Sequence, residues 1–176
     1  EELSITHGQF GSIYASATLL SSFVLIWVGK KIDDININKF ALFVILLLSF
    51  SCYFFSKITS LTFLFVTIFL MRFSGQGMMS HTATTTISRY FTKSRGKALS
   101  VSWFGLSSAE FILPVFIIYL LSLYDWKIIW KSISLLVLLF LPIVSFILVK
   151  NLNFDSRESN GGKLKKKIKI KNWKRQ

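Results

Sequence analysis

Five long apolar stretches limit what this chain can fold into. They run from about Gly8 to Val28, Phe40 to Phe55, Leu61 to Ile87, Ala98 to Leu121 and Ile128 to Val149. A bilayer core about 30 Å thick is crossed by roughly 20 apolar residues in helix. Inside that core every backbone N–H and C=O must find a partner within the protein, which leaves helices or closed barrels. Barrel strands alternate polar and apolar residues over about ten positions. Here Val44-Ile45-Leu46-Leu47-Leu48 and Leu135 to Leu141 are continuous apolar runs. The expected fold is therefore all-α, a polytopic membrane bundle of about five transmembrane helices. Only Ser56-Lys57-Ile58-Thr59-Ser60 separates the second stretch from the third. One helix through both would overrun any bilayer, so a tight hairpin is expected there.

The charges fit the same picture. Charged residues make up 16% of the chain and hydrophobic ones 52%, against about 25% charged in an average soluble protein. A net charge of +13 would suit a nucleic-acid binder, but such a protein needs a folded, water-facing basic surface. Ten of the 21 Lys and Arg residues instead lie between Lys150 and Arg175, and most others sit in short gaps between apolar runs. No nucleic-acid partner is expected. Lys30, Lys31 and Lys39, then Arg89, Lys93, Arg95 and Lys97, then Lys150 and the tail all fall on one side of a five-span topology. The opposite side balances Lys57, Lys127 and Lys131 against Glu1, Glu2 and Asp125. Positive loops stay in the cytoplasm, which predicts a multi-pass cell-membrane protein with its N-terminus outside and its C-terminus inside. Residues 1–150 form the bundle and 151–176 a basic cytoplasmic tail or central loop, too polar to pack a core. That tail reads as a topology signal or as an adhesive for anionic lipid heads.

Ionisable residues inside a membrane are costly to bury, and they mark candidate sites. The spans contain three, Arg72, His81 and Glu110. Arg72, Gln76, Ser80 and Thr84 recur at four-residue spacing, which makes one face of a helix. Ser100, Trp103, Ser107 and Glu110 form a comparable stripe on the fourth span. Such stripes face a water-filled cavity or glue helices together. His81 lies about half a turn away from Arg72 and is expected to bond a neighbouring helix. Gly8, Ser12 and Ser16 read as close-packing positions. Cys52 is alone in an apolar run and reads as a small buried side chain. With one Cys, two His and no HExxH or GxSxG pattern, no catalytic residue, metal site or cofactor is expected, and the chain does not read as an enzyme.

Two loops carry a resemblance. Gly29-Lys30-Lys31-Ile32-Asp33 places an acid four residues after a glycine that ends a helix. This resembles motif A of the major facilitator superfamily, with Gly29 and Asp33 at its anchor positions; Asp34 and Asn36 depart from the usual basic residue and second glycine. Arg72-Phe73-Ser74-Gly75-Gln76-Gly77, then Arg89-Tyr90-Phe91 and Arg95-Gly96-Lys97-Ala98, then Gly105 and Pro114, look like the fourth and fifth helices of monocarboxylate-transporter-like members.

The resemblance implies that the five helices are the second through sixth of a twelve-helix transporter, a partial N-terminal half. The chain opens at Glu1 without a signal-peptide pattern. The expectation is a start methionine and about one helix upstream, and about six helices downstream. The implied function is secondary transport of a small solute by alternating access. An organic anion is suggested by Arg72, since guanidinium pairs bidentately with carboxylate, and protons are candidate co-substrates. Arg72, Gln76, Ser80, Trp103, Ser107 and Glu110 are the candidate pathway residues, and Arg89, Arg95 and Gly96 the loop residues. The competing reading is a non-transporting structural or assembly subunit. At about 1.5 Å per residue, Arg72 lies roughly 24 Å from Ser88 and Glu110 roughly 21 Å from Gly96. The two are therefore expected near the midplane, facing each other or a shared cavity, as coupling site and anchor or as a static salt bridge.

Overall fold

A computed structural model describes residues 5–30, 37–91 and 93–147. Five helices result: α1 (His7–Gly29), α2 (Ile37–Phe55), α3 (Leu61–Tyr90), α4 (Arg95–Leu123) and α5 (Trp126–Ile147), each long and apolar enough to cross a membrane. There is no strand among the described residues.

The helix starts are set by polar side chains just outside the apolar runs. The Thr6 hydroxyl accepts from the Gln9 N–H at 3.2 Å while the Gln9 side chain accepts from the Thr6 N–H at 2.9 Å, a reciprocal box that satisfies two orphan donors. Ser60 caps α3 by accepting from the Phe63 N–H at 3.3 Å. Asp125 accepts from the Lys127 N–H at 2.8 Å at the start of α5. Helix α3 ends three residues after Ile87, because regular backbone bonding continues through polar residues once a helix has formed. Helix α4 likewise starts at Arg95 rather than Ala98. Between α2 and α3 the chain reverses in the expected hairpin, where the Lys57 N–H donates to the Phe54 carbonyl at 2.9 Å.

Helices α1 and α2 both pack along α3. One apolar cluster joins Phe40 and Val44 of α2 to Phe73 and Met78 of α3, with Leu25 and Val28 of α1 against it. A second, towards the opposite end, joins Ala17 of α1 to Leu64 and Ile68 of α3, with Ile58 in the hairpin. Glycines permit the close approach. A Cβ on Gly75 would meet Leu48 at 3.3 Å, and one on Gly77 would meet Leu25 at 3.3 Å. Helix α5 attaches to α2 by a reciprocal pair: Ser49 Oγ donates to the Ser134 carbonyl at 2.9 Å and Ser134 Oγ to the Ser49 carbonyl at 2.8 Å. Phe55 packs against both Trp126 and Trp130. Cys52 is buried, 3% exposed. Helix α4 touches the end of α3 near the connecting loop and buries no residue of its own.

Candidate functional site

The middle of α3 is not a regular α-helix. From Arg72 to Met79 the backbone widens into a π-helix, a geometry found frequently at functional sites. The segment contains Gly75 and Gly77, which have no side chain to resist the wider turn. Within it Arg72 still reaches Gln76, four residues on, while Ser80 begins the regular α-helical stretch that follows. The two ends of the predicted stripe sit on different helix types.

Arg72 opens this segment. Its guanidinium lies over the ring of Tyr14 on α1, 4.2 Å from the ring centroid, and its Nη1 donates to Oε1 of Gln76. The negative face of the ring attracts the cation, and Gln76 fixes one edge of the fork. Phe10 stacks on Tyr14 with centroids 6.4 Å apart, extending the aromatic wall. Gln76 is exposed, while Arg72 and Ser80 are half-buried. Tyr14 is absent from the sequence-level list of site residues. A weak signal existed. At about 1.5 Å per residue, Tyr14 lies roughly 10 Å into its span and Arg72 roughly 16 Å into its own, so a tyrosine stood near the depth of the charge.

Glu110 is held differently. It is exposed on α4, as are Trp103 and Ser107. Pro114 lies inside this helix, four residues on. Proline has no N–H to give the carbonyl of residue i−4, so both the carboxylate and the backbone carbonyl of Glu110 are open to a neighbour. No ion pair joins Arg72 to Glu110. The expected facing pair is not formed among the five helices, because α4 packs chiefly on the Ser80–Tyr90 part of α3, beyond Arg72.

His81 bonds within its own helix rather than across to another: its Nδ1 lies 3.3 Å from the Thr85 hydroxyl. Its ring instead sits against Gly29, where a Cβ would meet Nε2 at 3.4 Å. The motif A-like glycine thus packs on the imidazole of α3. Asp33 lies outside the described residues, as does the tail 151–176. Arg89 is in the last turn of α3 and exposed. Arg95 opens α4, and the carbonyl of Gly96 accepts from the Ser100 hydroxyl at 2.9 Å.

Five apolar spans, small residues at the helix contacts and an arginine held in mid-span suit a solute transporter. The family profile of the Major Facilitator Superfamily matches residues 1–175. The chain belongs to that superfamily. Members of the Major Facilitator Superfamily are membrane transporters of small solutes, and this chain is accordingly a multi-pass membrane protein in contact with the bilayer. No curated protein and no solved structure matches it.

Proposed function

We propose that this chain contributes to a secondary transporter of the monocarboxylate-transporter-like kind, which moves a small organic anion by alternating access. The observation that carries the reading is Arg72: a cation in mid-span, held by Tyr14 and Gln76 in a π-helical stretch. A permanently charged, planar donor fixed from two sides is suited to a carboxylate, which it can grip through two parallel hydrogen bonds. Gln76, Ser80, Trp103 and Ser107 supply the polar and aromatic lining in this reading. Glu110 is the proton-coupling carboxylate and faces helices beyond these five. The five are the second through sixth of the transporter, with the N-terminus outside and the C-terminus in the cytoplasm. Asp33 pairs with Arg89, Lys93 or Arg95 as a latch between the two basic loops, and Asp33→Asn is expected to change the transport rate.

The test is uptake of a labelled small monocarboxylate by proteoliposomes that carry the protein from its complete reading frame. Arg72→Gln is expected to abolish saturable uptake, and Arg72→Lys to weaken it, since lysine keeps the charge but loses the fork. Equal uptake by wild type and Arg72→Gln would defeat the anion reading. Glu110→Gln is expected to flatten the pH dependence, and an unchanged profile would remove the coupling role. A second reading, a non-transporting assembly subunit, is favoured by one observation, the outward apolar faces of α4. It predicts no uptake by any complete form of the protein.

A further inference from the structure

A cavity of about 390 Å³ opens at the end of the bundle that holds the basic loops. That volume lies within the range of small-molecule pockets, roughly 300–1,000 Å³. Its walls come from four helices: Ile37, Ala41 and Ile45 of α2, Met79 to Ile87 of α3, Ser102 of α4, and Leu141 to Ser145 of α5, with Phe91 just past α3. The cavity is separate from Arg72, Gln76 and Glu110, none of which lines it.

Its chemistry excludes a polar solute. Two threonines in the wall have already donated their hydroxyls to their own helix, Thr82 to the Met78 carbonyl at 2.6 Å and Thr86 to the Thr82 carbonyl at 2.7 Å. The lining that remains is almost wholly apolar. A water in such a space would lack the two to four polar partners it needs. An apolar chain would gain contacts that an empty cavity forfeits.

The ends of the same helices carry positive charge. Arg89 lies two residues before Phe91 and Lys93 two after it. Arg95 and Lys97 are in the first turn of α4, about 10 Å and about 8 Å by helical rise from Ser102. Lys39 falls between Ile37 and Ala41. Basic residues beside a pocket between transmembrane helices recruit anionic lipid head groups. We infer that this cavity is a binding site for an anionic phospholipid of the surrounding bilayer, with one acyl chain between α2, α3 and α5 and the phosphate among Lys39, Arg89, Lys93, Arg95 and Lys97. The site shares Arg89, Lys93 and Arg95 with the latch proposed above, but lipid retention is measured without transport, so either reading can fail alone.

Native mass spectrometry of the purified chain tests it, with phosphatidylglycerol and phosphatidylcholine of identical acyl chains offered at equal concentration. Preferential retention of phosphatidylglycerol is expected, reduced about fivefold for each nearby charge removed in Arg95→Gln and Lys97→Gln. Ala83→Phe and Val144→Phe, which fill the cavity from opposite walls, are expected to lower retention of phosphatidylglycerol while leaving the basic loops intact. Equal retention of the two lipids overturns the proposal. So does a loss in the charge variants with none in the cavity variants, which would mean diffuse attraction to the basic end. In case the filled variants do not fold, the wild-type chain in detergent is labelled with one equivalent of phosphatidylglycerol bearing a photoreactive acyl chain. Adducts are expected at residues 82–91 and 141–145. Adducts spread evenly over the exposed residues of α4 also overturn it.

Discussion

Tyr14 acts on Arg72 through its ring face, and its hydroxyl is not part of that contact. The guanidinium sits 4.2 Å from the ring centroid, where the quadrupole and not the phenol group does the holding. Tyr14→Phe is therefore expected to leave the carboxylate KM of the complete transporter unchanged. Tyr14→Leu is expected to raise KM about twofold to thirtyfold, since a cation–π contact contributes roughly 0.5–2 kcal/mol. Uptake kinetics on the two variants decide it, and equal KM values for Phe and Leu would show that the ring merely fills space. Arg72 was legible in the sequence because a charge in an apolar span is conspicuous at any packing. Tyr14 was not, because aromatic residues abound in this chain and only the pairing of α1 with α3 selects one. The pairing of Arg72 with Glu110 was read from depth alone. Depth says nothing of the direction a helix turns, and α4 carries Glu110 on an exposed surface.

At the scale of elements, the five helices could be read from the sequence because apolar length leaves no other solution in a bilayer. Their ends could be placed only to within a few residues, since capping groups such as Thr6 and Ser60 lie outside the apolar runs. The π-helical stretch of α3 was not legible. Its signal is a backbone hydrogen-bond pattern, and Gly75 and Gly77 read equally well as packing glycines. The Ser49–Ser134 pair was also hidden, as two serines among many, 85 positions apart. Each hydroxyl donates to the other residue's backbone carbonyl, so each substitution removes one bond and leaves the acceptor of the other in place. Ser49→Ala and Ser134→Ala are each expected to destabilise the bundle by about 0.6 kcal/mol, the average measured for interhelical bonds in membranes, and by no more than about 1.7 kcal/mol. The double variant, which removes both bonds, is expected to lose about the sum of the two. Unfolding titrations in mixed micelles measure all three, and no loss in the double variant would mean that the bonds do not attach α5 to α2.

For the molecule as a whole, the uneven charge is the feature on which the proposed orientation rests. Seventeen basic residues fall on one side of the five spans and three on the other. A reporter fused after Gln176 is expected to be fluorescent as a cytoplasmic protein and silent as an exported phosphatase. The opposite result would invert the topology proposed above. Helix α4 is the other feature at this scale. It is the one helix in this bundle with no buried residue, and Phe111 is 81% exposed on it. That surface can face lipid or further helices, but Glu110 on it favours the second, because a carboxylate against hydrocarbon is costly.

Cys52 gives the chain a property that has nothing to do with transport. It is the single sulfhydryl in 176 residues, and it is sealed inside the bundle near the α2–α3 hairpin. Within these 176 residues Cys52 thus serves as a tamper indicator. A maleimide dye added to the folded chain is expected to stay unreacted, and to attach once per molecule as soon as α2 separates from its neighbours. The rate of dye uptake would then time the opening of the bundle without any engineered label. Prompt labelling of the untreated chain would show that α2 breathes freely even when the rest of the fold is intact.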